Sequence, residues 1–183
     1  AGAVPVFTDV DPATLTMDAE QLERAIKRTL RNTALRPRAV IPVDLYGLPA
    51  DYAAIEAVAT RYGLSIIADA AQSFGARVGS RRVGTLAEIT ATSFYPTKPL
   101  GAFGDGGAIF TDDDQLAQAV REIRSHGTRG SGDVAMRLGL TGRLDTLQAA
   151  VLLVGLEVFE ERLASRREIA ARYQRAFSGV VGT

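Results

Sequence analysis

Residues 64–72 read Leu-Ser-Ile-Ile-Ala-Asp-Ala-Ala-Gln, a short apolar run that stops at an acid. A continuous apolar run of this length, without polar alternation, is typical of a strand that is buried on both faces of a sheet. Similar runs occur at residues 4–8, 39–43, 89–94 and 107–111, and each is predicted to be a strand. Helical patterns separate most of them. The sequence therefore predicts an α/β fold with three α/β/α layers and a mostly parallel sheet.

The helical segments carry recognisable start signals. Asp18 and Asp51 are predicted to cap two helices, the second ending at Gly63, and the acids at 112–114 are predicted to start a third. From Asp145 to about Phe177 the pattern is helical, with a break expected near Gly155. Residues 77–83 are predicted to form a hairpin around Gly79-Ser80, and residues 127–132 a loop.

Polar residues follow several of the predicted strands. In open parallel sheets, ligands bind beyond the carboxyl ends of the strands. This rule selects Asp44, Asp69, Gln72 and the turn from Tyr95 to Lys98 as candidate site residues.

Lys98 lies between two prolines, in Ser-Phe-Tyr-Pro-Thr-Lys-Pro-Leu-Gly at 93–101. An amine in an apolar pocket loses its proton more easily and can attack a carbonyl carbon. Pyridoxal phosphate is the cofactor that most often uses such a lysine. Without its flanking motif, Lys98 is better explained as a loop residue whose charge reaches water.

Three further residues supply partners for that cofactor. Asp69 is predicted to pair with the pyridine nitrogen, Gln72 with the phenolic oxygen and Ser93 with the phosphate. Each has a simpler alternative: Asp69 could cap a turn, and Gln72 and Ser93 could satisfy loop hydrogen bonds. The sequence leaves these alternatives open.

Composition excludes several classes of protein. Twenty-one basic residues balance twenty-one acidic ones, so nothing indicates a nucleic-acid-binding or membrane-binding surface. There is no cysteine and only one histidine, His126, which argues against disulfides and against the usual metal sites. No apolar stretch has the length of a membrane span, and a cytoplasmic location is expected.

Several separated motifs resemble the DegT/StrS family of sugar aminotransferases. They are Leu-Tyr-Gly at 45–47, Asp-Ala-Ala-Gln-Ser-Phe-Gly-Ala at 69–76, the 93–101 stretch, Gly-Asp-Gly-Gly at 104–107 and Gly-Arg-Leu-Asp-Thr-Leu-Gln at 142–148. Their order matches the family, and together they span most of the chain.

The resemblance implies a type I aminotransferase fold, with pyridoxal phosphate bound to Lys98 as a Schiff base. It also implies a homodimer, glutamate as amino donor, and a nucleotide-linked keto sugar as acceptor. Within the family, Phe74, the Lys-Pro-Leu-Gly run at 98–101 and residues 108–111 are most similar to enzymes that aminate a UDP-linked 3-keto-glucuronic acid derivative for lipopolysaccharide synthesis.

The chain also departs from the family pattern. The family's upstream phosphate loop and downstream small domain are absent, so residues 1–183 are interpreted as part of the cofactor-binding large domain, together with the start of the long connecting helix. Thr141 replaces an asparagine that in the family reaches the neighbouring subunit's cofactor. A non-catalytic or regulatory relative, or an inactive fragment, is therefore the alternative function. A nicotinamide-dependent enzyme is disfavoured, because no strand is followed by Gly-x-Gly-x-x-Gly.

Overall fold

The structure, a computed structural model, describes residues 2–32, 34–130 and 134–180. Helices and strands alternate as predicted from residue 19 to residue 69, and four further strands and then three helices follow. The helices are α1 (Ala19–Asn32), α2 (Tyr52–Tyr62), α3 (Asp114–Arg124), α4 (Thr146–Glu157) and α5 (Phe159–Phe177). The strands are β1 (Ala39–Val40), β2 (Ser65–Asp69), β3 (Arg77–Val78), β4 (Arg81–Arg82), β5 (Ile89–Ser93) and β6 (Gly107–Phe110).

Four strands form a mixed sheet in the order β1-β2-β5-β6. β1, β2 and β5 run parallel, with Val40 opposite Ile66 and Asp69 opposite Ala91. β6 joins β5 antiparallel and closes one edge. The short strands β3 and β4 form the predicted hairpin. With helices flanking it, this mostly parallel sheet confirms the predicted α/β class.

Aspartates begin four of the helices by accepting hydrogen bonds from backbone N–H groups of the first turn. Asp18 caps α1, Asp51 caps α2, Asp113 caps α3 and Asp145 caps α4. Each carboxylate satisfies donors that have no partner within the helix. The helix starts predicted from these acids are therefore confirmed.

A first apolar cluster packs α1 and α2 against β1 and β2. Ile55 is completely buried at its centre, between Ile26 of α1 and Ile66 of β2. A second cluster surrounds Phe94, at the end of β5, and contains Leu152 of α4 and Phe159 of α5. The first cluster packs against β2 and the second packs around the end of β5, so the carboxyl ends of both strands are supported by packed helices.

One prediction is wrong, one holds with a small displacement and one is only partly described. Residues 4–8 are not a strand, because no strand of the described residues lies beside them to complete a ladder, and Phe7 is largely exposed. The break predicted near Gly155 is present in the C-terminal helical region and falls at Val158. Of the predicted loop at 127–132, Ser131 and Gly132 lie outside the described residues.

No helix in the described part of the chain combines the length and the apolarity that crossing a membrane requires.

Candidate functional site

The carboxyl ends of the central strands bring the predicted site residues to one edge of the sheet. Asp69 ends β2 and Ser93 ends the neighbouring β5. The turn that carries Gln72 directly follows β2, and the loop that carries Lys98 directly follows β5. Parallel pairing of the two strands therefore places all four residues on segments that leave the sheet at the same edge.

Asp69 is half-buried and caps the turn that follows it. Its Oδ1 accepts a hydrogen bond of 3.0 Å from the Ala71 N–H. Its backbone is held on both sides, since Asp69 N–H donates to Pro42 and its carbonyl accepts from Asp44 N–H. Turn capping is thus observed, and among the described residues Oδ2 has no hydrogen-bond partner.

Gln72 lies in the segment of residues 70–76, which we name the acid turn because it directly follows Asp69. Its Oε1 accepts a 2.6 Å hydrogen bond from the backbone N–H of Tyr46. Tyr46 has φ 55° and ψ 18°, a left-handed conformation that is uncommon for a residue with a side chain. Because the oxygen is already engaged, the amide nitrogen of Gln72 is the end left to donate.

Ser93 is half-buried, and its Oγ accepts a 3.2 Å hydrogen bond from the Tyr95 N–H. This is the local loop bond expected as the simpler alternative. A hydroxyl that accepts can still donate its own proton. Ser93 therefore keeps a donor for a ligand.

Lys98 lies in residues 95–101, which we name the lysine loop. The ends of this loop are joined directly, because Ala102 N–H donates to the Phe94 carbonyl at 2.7 Å. Inside the loop, Lys98 N–H donates to Tyr95 at 2.8 Å. The turn is so tight that a Cβ on Gly101 would lie 2.6 Å from the Pro96 carbonyl oxygen, so glycine is required there.

The side chain of Lys98 is half-buried. Within the described residues, no carboxylate oxygen lies within 4.0 Å of its amine. The structure thus holds the backbone of Lys98 in a defined turn and leaves its amine without an ion-pair partner from this part of the chain.

Asp44 was selected from the sequence without a role, and the structure shows it to be a buried hub. It is fully buried and accepts hydrogen bonds from Ala50 N–H at 3.0 Å, Tyr52 Oη at 2.8 Å and Ser73 Oγ at 2.6 Å. Burial, with the hydrogen bond to Asp44, raises the pKa of the Tyr52 phenol above its ordinary value. Asp44 therefore ties the end of β1 to the start of α2 and to the acid turn.

The acid turn is also fixed from the side of α5. Phe74 contacts the rings of Phe94 and Phe159, with centroid distances of 5.9 and 5.3 Å. A Cβ on Gly75 would lie 2.6 Å from Leu163, so helix α5 packs directly on the turn.

Two arginines of α5 were not singled out from the sequence. Arg166 and Arg167 line a cavity of about 210 Å³ together with Gln72 of the acid turn and Pro99 of the lysine loop. We name this cavity the arginine pocket. An arginine pair on a polar helix is common, so only the tertiary structure reveals it.

Residues 125–130 and 134–142 follow α3 and fold back on it; we name them the arm. Buried Glu122 holds the arm by accepting hydrogen bonds from Arg129 at 2.6 Å and Arg137 at 2.7 Å. Hydrogen bonds from Gln118 and then from Arg129 and Arg137 lower the pKa of Glu122 from 4.5 to about 2.

The arm also carries His126 and Thr141. His126 follows the end of α3 with φ 63°, and its Nδ1 lies 3.4 Å from the Thr141 hydroxyl. His126 therefore lies just past the end of α3. The described residues contain no cluster of three or more His, Cys, Asp or Glu able to hold a metal.

Comparison with known proteins adds to this geometry. A family model for the DegT/DnrJ/EryC1/StrS aminotransferase family matches residues 1–183. A UDP-2-acetamido-2-deoxy-3-oxo-D-glucuronate aminotransferase from Pseudomonas aeruginosa is 49% identical over 183 residues, which are 100% of this chain and 49% of that protein. A dTDP-3-amino-3,4,6-trideoxy-alpha-D-glucose transaminase from Micromonospora megalomicea is 41% identical over 94% of this chain and 44% of its own length.

Solved structures agree with the fold. A DegT DnrJ EryC1 StrS aminotransferase from Brucella abortus superposes with a TM-score of 0.96 at 49% identity, covering 98% of this chain and 48% of that one. DesV of S. venezuelae, solved in complex with a ketimine intermediate, gives a TM-score of 0.89 at 40% identity, covering 99% and 47%. The chain thus spans about half the length of the curated relatives and solved structures it matches.

Proposed function

Because this chain belongs to the DegT/DnrJ/EryC1/StrS aminotransferase family, we propose that it forms the cofactor-binding part of an enzyme that aminates a nucleotide-linked keto sugar. Glutamate is the proposed amino donor. The observation that carries the proposal is the meeting of Asp69, Gln72, Ser93 and Lys98 on segments that leave one edge of the sheet.

The chemistry of these four groups fits pyridoxal phosphate, on which the family depends. An acid, an amide donor, a hydroxyl donor and an amine match the cofactor's ring nitrogen, phenolic oxygen, phosphate and aldehyde. Gln72 presents its nitrogen because Tyr46 occupies its oxygen, and Asp69 keeps one carboxylate oxygen for a partner. When bound, the cofactor supplies an electron sink for the pair of electrons left at the substrate's α-carbon.

Lys98 is proposed to have two roles. Its amine would hold the cofactor in the resting enzyme and, once displaced by the substrate's amine, would move a proton between the substrate's α-carbon and the cofactor's C4′ carbon, which lie on either side of the amine nitrogen. A base in this role must reach both positions. The closed lysine loop supports the assignment, since it fixes the backbone from which the flexible side chain extends.

Asp69 is proposed to keep the ring nitrogen protonated. A carboxylate beside a cationic ring favours the charged form of both groups. Its place at the end of a central strand supports the role, because the strand holds its backbone on both sides.

The acceptor is proposed to be a UDP-linked 3-keto-glucuronic acid derivative, used for lipopolysaccharide or a related surface polysaccharide. Support comes from the Pseudomonas aeruginosa relative, whose name specifies a UDP-linked 3-oxo-glucuronate. Other relatives act on dTDP-linked sugars, so the nucleotide is the part of the proposal that a substrate panel tests first.

The protein is proposed to act as a homodimer, with the phosphate loop and the small domain supplied by segments beyond this chain. An exposed apolar surface supports self-association: Leu138 of the arm is 96% exposed, and Leu147, Leu153 and Val154 of α4 are exposed as well. Large exposed apolar patches commonly mark sites of contact with another protein.

Covalent labelling tests the proposal. The chain contains two lysines, Lys98 and the exposed Lys27, which pairs with Glu23 at 3.0 Å. In the full-length protein, borohydride reduction in the presence of pyridoxal phosphate is expected to label the peptide that contains Lys98. Lys98→Ala is expected to abolish label and turnover, while the matched Lys27→Ala keeps both. Label on a lysine other than Lys98, or turnover by Lys98→Ala, overturns the proposal.

A further inference from the structure

The arginine pocket lies beside the candidate site, and Arg166 and Arg167 have no role in the function proposed above. Its walls come from the acid turn, the lysine loop and α5. Gln72 and Pro99 are shared between the pocket and the two site segments. A ligand in this pocket would therefore lie next to the residues proposed to hold the cofactor.

The charge of the pocket is positive. Arg166 and Arg167 line it, and none of the other lining residues carries a formal charge. Within the described residues, neither guanidinium has a carboxylate oxygen within 4.0 Å. Two cations that share a wall without an anion of their own attract an anionic ligand.

The two arginines project from a firmly held helix. Leu163, one turn before Arg166 and Arg167, packs against Gly75 so closely that a Cβ there would collide with it. Glu160 of the same helix pairs with Arg82 of the hairpin at 3.6 Å. The start of α5 is therefore held against the acid turn, and Arg166 and Arg167 extend from the next turn as exposed side chains.

The volume of the pocket indicates a small ligand. Pockets for drug-sized molecules occupy about 300–1,000 Å³, whereas this one has about 210 Å³. A small organic acid fits this space better than a whole nucleotide sugar. The planar fork of arginine matches a carboxylate with two parallel hydrogen bonds.

We propose that Arg166 and Arg167 bind a carboxylate group of the amino donor. This inference rests on the proposed function and adds to it the residues that recognise the donor. The same chemistry would suit the carboxylate of a uronic acid acceptor, so the experiment separates the two sources.

Titration calorimetry on the full-length protein tests the inference by measuring the affinity for three probes that cannot be transaminated. Glutarate represents the donor's carboxylates, UDP-glucuronate represents an acceptor with a carboxylate, and UDP-glucose represents an acceptor without one. The variants are Arg166→Gln combined with Arg167→Gln, and Arg172→Gln as the matched control. Arg172 is an exposed arginine of α5 that does not line the pocket.

The double variant is expected to bind glutarate about 10- to 100-fold more weakly, the loss expected when a charged hydrogen-bonded contact disappears. The affinity of the double variant for UDP-glucose should remain unchanged. The Arg172→Gln control should bind glutarate as tightly as the parent protein does. Unaltered glutarate affinity, absence of glutarate binding in the parent protein, or a loss confined to UDP-glucuronate each overturns the inference.

Labelling of Lys98 separates this result from the proposed function. If glutarate binding is insensitive to the arginines while Lys98 is still labelled, only the inference fails. If Lys98 is not labelled in the parent protein, the proposed function itself fails.

Discussion

The side-chain oxygen of Gln72 accepts a 2.6 Å hydrogen bond from the backbone N–H of Tyr46, which connects the end of β1 to the acid turn after β2. Because Tyr46 N–H is a donor, the Gln72 atom that faces it is the amide oxygen, and the amide nitrogen is the end left to donate to a ligand.

Replacing Gln72 by glutamate tests that orientation. The carboxylate can still accept from Tyr46, but it cannot donate to a phenolic oxygen and adds a negative charge beside it. We expect Gln72→Glu to weaken pyridoxal phosphate binding about tenfold, the effect of losing one hydrogen bond to a charged group. Equilibrium dialysis measures the affinity.

The matched control for this change is Gln115→Glu, an exposed residue in the first turn of α3. It makes the same chemical change away from the site and should leave cofactor affinity as it was. Equal affinity in Gln72→Glu and the parent protein would contradict the orientation.

Asp44 is expected to determine the stability of the site's support. In Asp44→Asn, the new amide would keep one acceptor oxygen where the carboxylate now receives three hydrogen bonds. This substitution should lower the free energy of unfolding by about 1–3 kcal/mol. Urea denaturation gives the value, and Tyr52→Phe, which removes one donor from the hub, should cost less. A variant as stable as the parent would show that the hub contributes little.

Attachment of the arm is expected to depend on pH through Glu122. Because its folded-state pKa is lowered to about 2 from 4.5, its stabilising contribution is complete above pH 4.5 and is lost as the pH falls toward 2. Over this window Arg129 and Arg137 should be released from Glu122. Hydrogen exchange of the arm's amides, followed as the pH falls and corrected for intrinsic rates, reports the release.

Glu122→Gln isolates this effect. It keeps the side-chain shape but removes the charge, so the arm should exchange faster at neutral pH and lose its dependence between pH 4.5 and 2. Trypsin should also cut more readily after Arg129 and Arg137. An arm that is protected equally in both proteins would refute the role of Glu122.

Gly75 is expected to resist substitution more than Gly79, another glycine with positive φ. Gly75 has φ 93° and Gly79 has φ 58°, but a Cβ would strike Leu163 at the first position and meet nothing within 4 Å at the second. Gly79→Ala should therefore cost only the backbone strain of about 1–2 kcal/mol. Gly75→Ala should cost about 1–3 kcal/mol more for overpacking. Thermal or urea unfolding compares the two, and equal losses would refute the close packing of α5.

Much of the fold follows from local signals. Asp51 and Asp113 begin helices because a short acceptor side chain satisfies the first free N–H groups, whatever the rest of the chain does. The continuous apolar run of β2 predicts a parallel strand, and the rule for strand ends then brings Asp69, Ser93 and Lys98 to one edge.

The remaining features depend on partners far away in the sequence. Residues 4–8 have the composition of a strand, but a strand also needs a neighbour. Glu122 is an ordinary surface acid by its helical pattern and becomes buried only because the arm returns with Arg137. Likewise, the left-handed backbone of Tyr46 exists because it meets Gln72, which no local rule specifies.

The backbone hydrogen bond from Ala102 N–H to the Phe94 carbonyl closes the lysine loop at its base. Since the two ends of residues 95–101 are already joined, exchanging residues 95–99 for another turn of equal span, with Leu100 kept in the apolar cluster around Phe94, should leave β5 and β6 in register. New reactive groups could then be grafted at this point without redesigning the sheet beneath, which makes it a natural place to engineer different carbonyl chemistry into the same scaffold.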